Sequence, residues 1–242
     1  VDETFEFHSD GTITVIGEVM LWDVLFNEFP RGITKVNGDL YLRGERAPYV
    51  LGGKCNVLEG RLTDFLGAEN QINDESTPPL QFDVKCECKE HFYVTTDVMD
   101  AEFRGNISLL GNTSRAGLIG VAEGIRGSIL FKETKFALTT ASVRFEDPKI
   151  IAPRFTVSGK AVVREQQTTV PQDYEVNLQV FGTPTDYKIR LSSTPTLAES
   201  DLISLLVLGV TSRSQEGNYL ELGSVIAGQT PFQSKIQSEF GF

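Results

Sequence analysis

The stretch Phe82-Asp83-Val84-Lys85-Cys86-Glu87-Cys88-Lys89 alternates without a break, with Phe82, Val84, Cys86 and Cys88 on one side and Asp83, Lys85, Glu87 and Lys89 on the other. Successive side chains of an extended chain point to opposite faces, so this spacing predicts a strand with one apolar face and one in water. The rule recurs along the chain. Ile13, Val15, Gly17, Val19 and Leu21 oppose Thr12, Thr14 and Glu18. Further faces are Phe103, Gly105, Ile107 and Leu109, then Phe155, Val157, Gly159, Ala161 and Val163. Tyr174, Val176, Leu178 and Val180 make another, and Tyr187, Ile189 and Leu191 a short one. Parallel α/β sheets are covered on both faces and carry strands that are apolar throughout, so the one-sided pattern excludes them. The expected fold class is all-β, a long amphipathic sheet with one or two short helices.

Glycine spacing gives a weak internal repeat: Gly38-Asp-Leu-Tyr-Leu-Arg-Gly44, Gly105-Asn-Ile-Ser-Leu-Leu-Gly111 and Gly127-Ser-Ile-Leu-Phe131 each set apolar residues at alternate positions after a glycine. In a meander such glycines serve turns or allow a sheet to bend. Two segments depart from the strand pattern. Residues 68–79, Ala-Glu-Asn-Gln-Ile-Asn-Asp-Glu-Ser-Thr-Pro-Pro, are polar and end in prolines, which predicts an exposed loop. Thr196-Leu-Ala-Glu199 has the spacing of a capping box, and the following run of Leu202, Ile203, Leu205, Leu206 and Leu208 stops at Gly209, which predicts a helix over 196–209. Met20 to Phe29 fits either a short helix or a strand and turn ending at Pro30.

Composition narrows the function. The chain has 242 residues, 40% apolar and 23% charged, enough to bury a core without metal or disulfides. Its net charge of -11 excludes a nucleic-acid surface, which needs clustered Lys and Arg. The longest uncharged apolar stretch, Leu202 to Val210, is far short of the roughly 20 residues of a membrane-spanning helix. Val-Asp-Glu-Thr-Phe at the start carries no signal-peptide pattern, and the missing initiator Met suggests an excised fragment. Only two histidines, His8 and His91, are present, and neither stands in a nucleophile or metal motif. No phosphate-binding glycine loop occurs, so the expectation is a non-enzymatic protein without cofactor or metal. Cys86 and Cys88 lie about 6.6 Å apart along one strand face, too far for an easy bridge to each other. They read either as small buried apolar residues or, for one of them, as the partner of Cys55.

Three blocks resemble a known family. They are Gly117-Leu-Ile-Gly-Val-Ala-Glu-Gly-Ile-Arg-Gly-Ser-Ile-Leu-Phe131, followed by Lys135-Phe-Ala-Leu138 and Val143-Arg-Phe-Glu-Asp-Pro148; Tyr174-Glu-Val-Asn-Leu-Gln-Val-Phe-Gly182; and Ile189-Arg-Leu-Ser-Ser-Thr-Pro195 with the leucine-rich run to Gly209. In order and spacing these are similar to the TamB C-terminal domain, from the inner-membrane-anchored subunit of the translocation and assembly module and the wider AsmA-like group of bridge-type lipid transfer proteins. Leu51-Gly-Gly-Lys-Cys-Asn-Val-Leu-Glu-Gly-Arg61 is similar to the family's opening strand, so the likeness runs over about residues 36–230. The cysteines and the 68–79 insertion depart from the family pattern.

The resemblance implies a periplasmic β-rich trough, a β-taco, lined with apolar side chains. It implies a TamA-like outer-membrane barrel as partner, phospholipid or nascent outer-membrane protein as cargo, and an inner-membrane anchor upstream of Val1. Residues 1–35 are then an N-terminal strand and turn region continuing the sheet, 36–195 the trough, 196–209 the helix and 210–242 a truncated C-terminal segment. The alternating faces supply Val84, Phe103, Ile107, Leu109, Phe155, Val157, Val176, Leu178, Val180 and Ile189 as groove-lining candidates. The blocks carrying the resemblance add Ile129, Phe131, Phe136, Leu138, Val143 and Phe145.

Four readings of the apolar face stay open on sequence: a lipid conduit, a chaperone that pairs with nascent strands at a sheet edge, two sheets closed on each other as a sandwich, and a fragment of a membrane barrel. For the last, Phe232, Ile236, Phe240 and Phe242 give a faint closing-strand pattern.

Overall fold

The computed structural model describes residues 2–7, 13–26, 32–63, 80–165 and 171–211. The alternating segments form eleven strands: β1 (Asp2–Phe7), β2 (Ile13–Phe26), β3 (Gly32–Gly44), β4 (Tyr49–Leu62), β5 (Leu80–Thr95), β6 (Met99–Asn112), β7 (Arg115–Phe131), β8 (Thr134–Asp147), β9 (Pro153–Arg164), β10 (Asp173–Gly182) and β11 (Tyr187–Thr194). They pair in sequence order in one sheet, β1 through β11. The all-β class holds, and the strands are not divided between two facing sheets as a sandwich requires. Met20 to Phe26, ambiguous on sequence, continues β2 as strand. The 68–79 loop and the terminal aromatic pattern lie outside the described residues.

A meander makes every neighbour antiparallel, and one pairing departs from that. β4 and β5 run parallel, Tyr49 beside Leu80 and Leu62 beside Val94. A parallel pair cannot be joined by a tight hairpin turn, and 17 residues, 63–79, separate the two strands in sequence. Short turns join several of the other neighbours. Between β7 and β8, Lys132 and Glu133 both take positive φ, 47° and 53°, as a two-residue type I′ hairpin turn requires.

Register shifts explain where the alternation changes phase. Val57 faces Cys88 but Gly60 faces Phe92, so β5 carries one extra residue between these pairs. The irregularity is taken up near His91, at φ 66°, whose backbone N–H donates to the buried Glu102 carboxylate at 2.9 Å. Because side chains repeat every two residues, such a shift exchanges the faces of everything beyond it. Along β7 the exposed positions likewise change from Val121, Glu123 and Ile125 to Leu130.

Among the described residues one helix is found, α1 (Glu199–Leu208), which packs against β11. Its end is as expected: Gly209 sits at φ 73° and donates its N–H to the Leu205 carbonyl. Its start is not. The capping box at Thr196 does not form; Ala198 is the cap residue and no side chain caps the helix. Ser193 organises the approach instead, its hydroxyl donating to the Pro195 carbonyl at 2.7 Å and accepting the Leu197 N–H at 3.1 Å.

The chain divides into two compact units. The first holds Val1–Thr96, Glu102–Ile125 and Ser142–Arg154; the second holds Asp97–Ala101, Arg126–Ala141 and Phe155–Phe242.

Candidate functional site: the apolar faces

In the first unit, register turns the sequence pattern into rows that cross three strands. Leu42, Leu51 and Phe82 stand side by side on β3, β4 and β5, as do Leu40, Gly53 and Val84, then Gly38, Cys55 and Cys86, then Val36, Val57 and Cys88. Positions between them carry Tyr41, Gly52 and Asp83, or Asp39, Lys54 and Lys85. One face is therefore apolar across its width and the other polar. Val36 and Val84 are buried on it, and Phe103 is buried in the same unit. Leu40, Leu42, Leu51, Val57, Phe82, Ile107, Leu109, Val143 and Phe145 are only half-buried.

The second unit closes more tightly. Its rows are Val157, Val180 and Ile189; Gly159, Leu178 and Leu191; and Ala161, Val176 and Ser193. Val157, Val176, Leu178 and Val180 are buried, with Ile129, Phe131 and Phe136, while Leu138, Phe155 and Ile189 are half-buried. Phe136 has no exposed surface and meets Phe131 edge-on, ring centroids 6.5 Å apart and planes at 68°. Leu202, Leu205 and Leu206 of α1 are buried in the same unit. Gly159 makes this packing possible: a Cβ there would lie 3.0 Å from the Phe136 Cβ and 3.3 Å from the Ile129 Cδ1. Sequence reading placed Gly159 on the face without assigning it this role, because only the neighbouring strand shows what fills the space.

Electrostatics separate the two faces of the second unit. Lys160 pairs with Glu175 at 2.8 Å, and Arg164 with Asp173 at 2.6 Å, all at positions between the apolar rows. The Arg164 guanidinium holds the Asp173 carboxyl below its ordinary range. Burial pushes the Tyr187 phenol up, in keeping with its place in line with Ile189. The buried Glu165 accepts from the Thr211 N–H at 3.1 Å and from the Thr211 hydroxyl, tying the chain beyond α1 to the end of β9. Among the described residues no cluster of three metal-binding side chains occurs, and no helix is long and apolar enough to cross a membrane.

All sixteen sequence candidates are thus buried or half-buried, but they sort into two kinds. Nine are closed in the packing: Val84, Phe103, Ile129, Phe131, Phe136, Val157, Val176, Leu178 and Val180. Seven keep a wet side: Ile107, Leu109, Leu138, Val143, Phe145, Phe155 and Ile189. Leu40, Leu42 and Leu51 join the second kind on β3 and β4; their alternation is visible in the sequence but sits among glycines that weaken the signal.

Among family models, that of the TamB C-terminal domain matches residues 9–242. The chain belongs to the TamB C-terminal domain family. The match takes in β2 and the C-terminal segment, beyond the residues 36–230 over which motifs alone suggest the likeness. A search of curated proteins finds no match. Membership in the TamB C-terminal domain family connects the chain with the translocation and assembly module.

Proposed function

We propose that the apolar faces of this domain shield the apolar parts of an extended cargo, phospholipid acyl chains in the first place, as a periplasmic bridge component of the translocation and assembly module alongside a TamA-like outer-membrane barrel. The half-burial of the first unit's face carries this reading. Residues such as Ile107, Leu109, Val143 and Phe145 belong to the same unit as buried Val84 and Phe103 yet keep surface in contact with solvent. Each methylene taken out of water gains about 0.8 kcal/mol, so an acyl chain laid along several strands is held by many small contacts and can slide between equivalent ones. No step of this role needs a catalytic group.

Ile107→Asp in the full-length protein tests it. Ile107 is half-buried and tolerates a charge with the fold intact, whereas the same change at Val157 or Val176 strikes closed packing. The expected result is a protein with wild-type circular dichroism that no longer co-purifies with phospholipid and does not complement a deletion. A folded Ile107→Asp protein that complements and carries the same lipid refutes the reading.

A second reading rests on the sheet's edge. Among the described residues β11 ends the strand order, and its outer backbone groups would pair with an incoming strand of an outer-membrane protein. Photocrosslinkers at Lys188 and Arg190 would then capture peptide, while crosslinkers at Ile107 would capture lipid under the first reading.

A further inference from the structure

The parallel pairing of β4 and β5 places Cys55 directly beside Cys86, and their sulfurs lie 2.8 Å apart. Both are free thiols here, as is Cys88. Neighbouring strands hold their backbones about 4.8 Å apart, within the Cα spacing that disulfides span. The two side chains also share a face, so their Cβ vectors point the same way. Cys88 is placed otherwise: its register partner is Val57, and its thiol donates to the Glu90 carbonyl at 3.5 Å. We infer that Cys55 and Cys86 are a disulfide site that locks the parallel seam, with Cys88 remaining a thiol.

The chemistry is thiol–disulfide exchange with a disulfide oxidant, either a small-molecule disulfide or the disulfide of a thiol oxidoreductase. The Cys55 thiolate attacks one oxidant sulfur, forming a mixed disulfide and expelling the other sulfur as a thiolate. The Cys86 sulfur then attacks Cys55, forming the intramolecular bond and expelling the second sulfur. Two electrons and two protons pass from the cysteine pair to the oxidant, which leaves as two thiols. The contact supports this order of events. A Cys86 S–H can donate to a Cys55 thiolate, which favours ionisation of Cys55 and holds the second proton on Cys86.

The position gives the bond its use. Antiparallel neighbours joined by a short turn are held by that turn, but β4 and β5 run parallel and lie 17 residues apart in sequence. A Cys55–Cys86 bond closes a loop whose ends are 31 residues apart and pins a parallel pairing that no hairpin turn enforces.

The test uses the whole chain, equilibrated with oxidised glutathione, then denatured and alkylated with N-ethylmaleimide for intact mass. The expected count is one label on wild type, none on Cys88→Ser, and two on Cys55→Ser and on Cys86→Ser, with a Cys55–Cys86 cross-linked peptide on non-reducing digestion. Three labels on the wild type, or a peptide that joins Cys88 to either of the others, overturns the assignment. Reduction of the oxidised protein is expected to lower Tm by about 7–15 °C, from the loop length and the size of the chain, and to leave the Tm of Cys55→Ser unchanged. A linked pair whose reduction does not move Tm overturns the locking role.

Discussion

Phe136→Ala separates closed packing from the proposed binding surface. The side chain has no solvent exposure, meets Phe131 edge-on at 6.5 Å and lies against Gly159, which has no side chain to swing into a vacated space. Its transfer from water contributes about 1.5–3 kcal/mol. The aromatic pair adds about 0.5–1.5 kcal/mol. With the residual cavity the total cost is about 3–5 kcal/mol, the range for removing a fully enclosed Phe. Phe145→Ala is the control, since a half-buried ring loses only part of its transfer energy, about 1–2 kcal/mol. Urea denaturation followed by circular dichroism reads both: with a slope near 2–3 kcal/mol per molar, Phe136→Ala should lower the midpoint by about 1–2 M and Phe145→Ala by well under 1 M. Activity in a complementation assay should run the other way once expression is matched, with Phe145→Ala the more damaging. Equal stability losses, or a Phe136→Ala loss below about 1.5 kcal/mol, would refute the division of the candidates into closed and wet residues.

Three smaller perturbations follow from local geometry. Gly209→Ala puts a Cβ on a residue at φ 73° and should cost about 1–2 kcal/mol, read as a Tm lower by a few degrees. Lys132→Asn with Glu133→Gly supplies the residues that a type I′ turn favours at φ 47° and 53°, and should stabilise the protein by about 0.5–1 kcal/mol in the same melt. Asp173 has a folded pKa below its unfolded one because Arg164 donates to it, so its contribution is present above the unfolded value and is lost as pH falls through the folded one. The stabilities of wild type and Asp173→Asn should therefore differ at neutral pH and converge as the pH falls through the folded value; a gap that widens on acidification would contradict the pairing.

The alternation at 82–89 and its repeats settled the strand content and the side that each residue takes, because the two-residue period of an extended chain is a local property. Gly209 marked the end of α1 for the same reason: a left-handed cap is a matter of one residue's backbone. Thr196 misled because a capping box needs the chain to turn at that residue, and the Ser193 hydroxyl sets the turn elsewhere. Beyond the single strand, the sequence ran short. Nothing local to Cys55 or Cys86 announces that they are neighbours; the parallel register of β4 and β5 makes them so. The burial that distinguishes Phe136 from Phe145 depends equally on other strands, since both are phenylalanines with an apolar face and only Phe136 finds Gly159 and Ile129 against it. The period of the chain determined which residues form the apolar face. Which of them are sealed and which keep surface in contact with solvent was decided by pairing between distant segments, a relation that a local pattern does not encode.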